Sequence, residues 1–169
     1  RRIRQALAGL YKKEGAYDLA MNEFRMIESR NKENPPVEED PELQIEIGKT
    51  YLALKDYRNA IAPFKSVVDS RRATPQQRKE AHMNLAVAYS GTGDEKDYEN
   101  ARASANQAAR LDPNDENARL IQAATLIKSD SMLDREKAIE ILTAVTASDI
   151  DSVTSSKAYN LLGLAYYKN

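Results

Sequence analysis

The sequence contains no cysteine and no tryptophan, a single histidine, and only six glycines and six prolines among 169 residues. Without cysteine there is no disulfide, no thiolate nucleophile and no thiolate-bound metal. The same absence fits a reducing or an oxidising compartment, so a soluble cytoplasmic or bacterial periplasmic location stays open. A serine nucleophile needs a base within hydrogen-bond reach, and zinc needs three or four ligands at suitable spacing. His82 alone supplies neither, and it is expected as a partly buried structural side chain. The paired carboxylates Glu38/Glu39 and Asp94/Glu95 fall in expected loops, where acidic runs are usually solvated. Neither charge is in excess: 25 Lys and Arg face 26 Asp and Glu, a net charge of -1. No global field therefore favours nucleic acid or acidic lipid. No apolar run approaches the roughly 18 residues of a membrane span, which speaks against direct membrane insertion, and no signal peptide opens the chain. The expectation is a non-enzymatic chain with no catalytic residue, cofactor or metal.

What is present is a repeat. Around Gly48, the residues Ile47, Tyr51 and Leu54 recur at helical spacing, Lys55-Asp56 interrupts, and Ala60, Ile61, Phe64 and Val67 form a second apolar face. Such a helical hairpin is too small to bury its own face and needs copies as neighbours. Copies are found. Tyr51 aligns with Tyr11, Tyr89 and Tyr166, and with Thr125 in a fourth copy. Ala60 aligns with Ala20, Ala101 and Ala138, and Phe64 with Phe24, Ala105 and Leu142. Gly48 aligns with Gly163, with Ala8 and Ala86 as small substitutes and Gln122 as the exception. Seven of the nine tyrosines and both phenylalanines fall on three repeating positions.

The segments Leu7-Ala8-Gly9-Leu10-Tyr11 and Ile47-Gly48-Lys49-Thr50-Tyr51, with Asp56-Tyr57-Arg58-Asn59-Ala60 after the second, carry a family resemblance. So do Leu85-Ala86-Val87-Ala88-Tyr89, Leu111-Asp112-Pro113-Asn114 and Leu162-Gly163-Leu164-Ala165-Tyr166. The pattern resembles the tetratricopeptide repeat (TPR), of period about 34 residues. The resemblance implies an all-α, right-handed superhelical solenoid of about four and a half helix-turn-helix hairpins. Repeats are expected at about 1–34, 41–74, 75–114 and 115–152, with a half repeat at 155–169, in a single array. Because the chain opens inside one repeat and stops halfway through another, it reads as a segment of a longer protein. A loop insertion is expected at 31–40, ending in the Asp40-Pro41 cap, and Thr74-Pro75 is expected to open the third repeat in the same way. The turns from Gly91 to Asp97 and from Ser129 to Arg135 read as lengthened. Gly91-Thr92-Gly93 is not expected to bind phosphate, because a helix precedes it and acids follow.

In the family, the second, fifth, sixth and ninth positions of each first helix point into a concave groove. Carried over, the resemblance puts Arg2, Gln5, Ala6 and Gly9 there, then Glu42, Ile45, Glu46 and Lys49. Further along it puts Glu80, Met83, Asn84 and Val87 in the groove, then Glu116, Arg119, Leu120 and Ala123, and finally Lys157, Asn160, Leu161 and Leu164. The groove reads as polar near the amino end and increasingly apolar through Ile45, Met83, Val87, Leu120, Ala123, Leu161 and Leu164. Such a stripe suits a partner's amphipathic helix, with Met83, Val87 and Leu120 favoured for binding. A clamp for acidic chaperone tails, as found in some members, would need Lys and Asn, then Asn, then Lys and Arg from successive first helices. Counting from the second repeat, Ile45, Lys49, Asn84, Glu116 and Leu120 match it only at Asn84, so the clamp is not expected. The implied function is a protein-protein interaction scaffold that binds a partner peptide or helix in the groove, as part of a multiprotein assembly. Two alternatives are a homo-oligomerising assembly module, in which a neighbour's helix fills the groove, and a single-stranded RNA reader. The groove acids Glu42, Glu46, Glu80 and Glu116 disfavour the RNA reader.

Overall fold

A computed structural model describes residues 2–33, 40–129, 131–148 and 151–167. Among the described residues are nine α-helices and no strand. They are α1 (Arg2–Lys13), α2 (Tyr17–Glu33), α3 (Pro41–Ala53), α4 (Tyr57–Asp69) and α5 (Pro75–Thr92), then α6 (Glu95–Leu111), α7 (Glu116–Ile127), α8 (Met132–Thr146) and α9 (Ser152–Tyr167). The chain is all-α and made of helix-turn-helix hairpins in sequence order. It divides into two compact units, Arg1–Asn84 and Leu85–Asn169, and the division falls inside α5.

Short polar side chains set the helix starts by accepting from backbone N–H groups that have no intrahelical partner. The Asp40 carboxylate accepts from Glu42 N, with Pro41 at the first helical position. Asp56, Asp94, Asp115 and Ser131 cap α4, α6, α7 and α8. At α5 the pairing is reciprocal: Gln77 N donates to Thr74 Oγ1 at 3.2 Å, and Thr74 N donates to Gln77 Oε1 at 2.9 Å. Asp151 accepts from Val153 N and Thr154 N ahead of α9. Its carboxyl is held below the usual range, chiefly by the Thr154 hydroxyl. Three hairpin turns take a left-handed residue: Gly15 at φ 75°, Gly93 at φ 71° and, without glycine's freedom, Lys55 at φ 58°.

In the first unit, α1 pairs with α2, α3 pairs with α4, and α2 packs on α3. Ala8, Ala20, Phe24, Ile27, Leu43 and Ile47 are core residues, with Tyr11 and Tyr51 packed against them. The α3–α4 hairpin closes on one contact. A Cβ added to Gly48 would stand 2.5 Å from Phe64 Cζ and 2.7 Å from both Cε atoms. The ring lies flat on a bare Cα and is itself wholly buried.

In the second unit, α7 and α8 form a hairpin, α6 packs on α7, and α9 packs on both α7 and α8. Leu120, Ala123, Leu126, Ile127, Leu142 and Val145 are core residues. The Arg102 guanidinium ties α6 to α8 through Asp134, 3.0 Å away, and the Asp134 side chain is 6% exposed.

Three expectations from the sequence change here. The Gly91–Asp97 turn is not lengthened: α5 runs through Thr92 and α6 starts at Glu95, so the extra residues join the helices. Thr92 supports the junction, its hydroxyl donating to Tyr89 O and lying 2.8 Å from Asp97 Oδ2. The turn between α7 and α8 is also shorter than expected, because Ser131 caps α8 and leaves Asp134 and Arg135 inside that helix. The fourth copy shifts register by one residue. Asp40 caps α3 and Gly48 is the eighth residue after it; Asp115 caps α7, and the eighth residue is Ala123, not Gln122. Ala123 is fully buried and Leu126 nearly so, whereas Gln122 and Thr125 are half-buried. Leu126, not Thr125, is therefore the counterpart of Tyr51. The expected insertion at 31–40 lies outside the described residues except for the end of α2 and Asp40.

The glycines at equivalent repeat positions predict opposite responses. Gly48→Ala gains helix propensity but forces the enclosed Phe64 ring to move, for a net loss of about 1–2 kcal/mol in urea-denaturation stability. A Cβ at Gly163 meets nothing within 4 Å, so Gly163→Ala should stabilise by about 0.5–1 kcal/mol. Equal effects at both sites would refute the packing argument.

Candidate functional site

The first helices α1, α3 and α5 present a linked row of charges within the first unit. Lys12 pairs with Glu46, Lys49 pairs with Glu80, and Lys49 Nζ also lies 3.9 Å from Glu46 Oε1. All four side chains are between 21% and 39% exposed, so the pairs are solvent-screened and each is worth well under about 1 kcal/mol. Their value is in alignment, since they hold the exposed faces of α1, α3 and α5 side by side. On the same row, Gln5, Gly9, Glu42 and Glu46 surround a cleft of about 300 Å³ with Phe24 and Leu43 as its floor. These four are groove positions named from the sequence, and α1 and α3 bring them together.

The other expected groove residues of this unit are placed less favourably for a ligand. Ile45 is buried. Met83 is half-buried, and Asn84 donates to Glu80 O at 2.9 Å, a bond inside its own helix.

In the second unit the expected apolar stripe is largely taken up by the core. Leu120 and Ala123 belong to the buried cluster, and Leu161 packs half-buried against it. Counted from the caps, Leu120 stands where Ile45 stands, and both point inward. Ala123 occupies the Gly48 position and so is not a groove residue. Val87 and Leu164 are exposed, at 39% and 46%, as is Asn160. Arg119, shifted with its helix, lines a cleft of about 760 Å³ enclosed by α6, α7 and α8. No motif in the sequence announced that cleft, because its lining comes from three helices spread over more than forty residues.

Among the described residues, no group of three or more His, Asp or Glu could hold a metal ion, and no helix is long and apolar enough to cross a membrane. His82 is half-buried on α5, its Nδ1 enclosed without a hydrogen-bond partner. Burial lowers its pKa from the ordinary 6.5. With no acceptor at Nδ1, the imidazole lacks the orienting partner that a catalytic base uses.

Comparison with known proteins agrees with the repeat pattern. Residues 41–74 and 79–115 each match the tetratricopeptide repeat. The second match begins at Lys79, one turn into α5, which the Thr74 cap has extended toward the amino end. Among solved structures, the crystal structure of a thermophilic TPR protein from Thermus thermophilus aligns with a TM-score of 0.67. Identity is 22%, over 99% of this chain and 87% of that one. At that identity the likeness concerns the fold alone. No match was found among curated proteins.

The buried imidazole makes a pH prediction. The folded state favours neutral His82, and the unfolded chain takes up a proton near 6.5. Stability from this group is whole at pH 7.5 and lost as pH falls below about 6.5, down to the lowered folded value. The melting temperature of His82→Gln should therefore fall less than that of the parent between pH 7.5 and 5.5. Parallel pH curves would show that His82 does not titrate on unfolding.

Proposed function

Since this chain belongs to the tetratricopeptide repeat family, whose members generally serve protein-protein interaction, we propose that it is a non-catalytic scaffold that binds an extended or helical partner segment on the faces of its first helices. The observation that carries this reading is the cleft between α1 and α3, where Gln5, Gly9, Glu42 and Glu46 converge over a Phe24–Leu43 floor. An apolar floor under polar lips suits a side chain with an apolar stem and a polar end. In the second unit, exposed Val87 and Leu164 offer apolar contacts on first helices. The ion pairs along Lys12, Glu46, Lys49 and Glu80 keep the first unit's helices in register before a partner arrives, which lowers the ordering cost of binding. The scaffold would serve within a multiprotein assembly.

The test uses Gly9, where an added Cβ meets nothing within 4 Å. Gly9→Leu fills the cleft while improving helix propensity, by about 0.8–1 kcal/mol. Peptides selected on the parent chain from a displayed random library would be remeasured on the variant by fluorescence anisotropy. The expected result is a higher melting temperature together with affinity weakened about tenfold or more. Unchanged affinity for every selected peptide would remove the α1–α3 cleft from the function.

A further inference from the structure

The second unit carries a charge pattern that its composition does not predict. Residues 85–169 contain nine Lys and Arg against thirteen Asp and Glu, a net of -4. Yet four of those nine cations, Arg102, Arg110, Arg119 and Lys137, line the cleft of α6, α7 and α8, against one acid, Glu140. Arg102 is held by Asp134. Arg110, Arg119 and Lys137 make no ion pair with another described residue. Three like charges gathered with Glu140 as the one acid of the lining repel one another, although acids outnumber bases in this unit. Arg110 has a local role, since it sits in the last turn of α6 where the helix dipole favours a cation. Arg119 sits in the first turn of α7, where the helix dipole disfavours a cation, and Lys137 sits in the middle of α8.

The cleft is also built. Gln122 Nε2 donates to Asn106 Oδ1 at 2.9 Å, and Arg102 reaches Asp134, so its three walls are cross-tied. Its volume of about 760 Å³ lies within the range of ligand sites. Leu126 and Ile141 add apolar lining, and no aromatic side chain is present. That last feature separates two anionic partners. Single-stranded nucleic acid is held by stacking its bases on aromatic rings, which this cleft does not offer, whereas aliphatic walls suit leucine-like side chains.

We propose that this cleft docks an internal acidic segment of a partner protein, in which carboxylates meet Arg110, Arg119 and Lys137 and an intervening apolar side chain packs on Leu126 and Ile141. The proposal rests on the reading of the chain as a protein-binding scaffold but uses a different surface, lined largely by the second helices α6 and α8. Electrostatics would draw the segment in, and the apolar contact would set its register.

The probe is a fluorescein-labelled peptide of about twelve residues alternating Asp or Glu with Leu. It is compared with the same peptide carrying Asn and Gln in place of the acids, and with an oligouridylate of equal length. On the whole chain, the acidic peptide should bind at least about tenfold more tightly than either control. Arg119→Glu combined with Lys137→Glu should weaken it about tenfold or more, and Glu140→Gln should tighten it about twofold, at unchanged helicity. Gly9→Leu should leave this binding untouched, so failure of the α1–α3 cleft and failure of this one are read separately. Equal binding of acidic and neutral peptides, tighter binding of oligouridylate, or no response to the charge reversals would each overturn the proposal. So would opposite movement on Glu140→Gln.

Discussion

The ring of Phe64 resting on the bare Cα of Gly48 is the contact on which the α3–α4 hairpin depends. A helical hairpin of about thirty residues has too little apolar surface to tolerate a gap between its helices, and dispersion falls off within an ångström of optimal separation. At Gly48 the helix axis can come close only because no Cβ is present, and the ring fills the space that approach leaves. Elsewhere the same problem is solved with other residue pairs. Ala8 stands with Phe24 in the first hairpin, and Ala123 with Leu142 in the fourth, each member buried to within a few per cent. The constraint is on the sum of the two volumes, so a repeat can lose its glycine provided its partner changes too.

Interior packing of this kind leaves the surfaces free to diverge, and the two units have diverged in charge. In the first, acids and bases alternate along α1, α3 and α5 and neutralise one another at the pairs Lys12–Glu46 and Lys49–Glu80. In the second, four of the nine cations line one cleft, with Glu140 the one acid among its lining residues. Pairing across a face leaves a nearly neutral surface, on which the proposed partner segment would be selected by shape and apolar contacts. Segregation leaves a field, and a field selects for charge. A chain of near-zero net charge thus holds two clefts of different electrostatic character, and the two proposed partners differ accordingly.

Where the sequence misled, it did so at helix ends. The Gly91–Asp97 and Ser129–Arg135 stretches contain glycine, serine and acids that suit loops, yet Thr92, Asp94 and Ser131 use their side chains to carry helix further in from each side. The one-residue shift in α7 has the same origin. Gln122 and Thr125 look like a degenerate signature until Asp115 is recognised as the cap, after which Ala123 and Leu126 fall on the small and large positions. Cap chemistry was available in the sequence, and applying it at Asp115 as at Asp40 would have found the register.

The sequence by itself determined that this chain is a run of helical hairpins, because small and bulky residues recur at spacings that only helices packed on their neighbours can use. It also determined two helix starts, at Asp40-Pro41 and Thr74-Pro75, and the family's groove positions included Gln5, Gly9, Glu42 and Glu46, which α1 and α3 bring around one cleft. Tertiary structure alone decided which apolar residues remain available. Ile45 and Leu120 read as surface from their repeat positions but are buried, because how deeply a given helix face is covered depends on the tilt and bulk of its neighbours. It also decided which charges stand together. Arg110, Arg119 and Lys137 are separated in the chain by nine and eighteen residues and share no periodicity. Only the packing of three helices puts them around one cavity, since electrostatic neighbourhood follows distance in space and not along the chain.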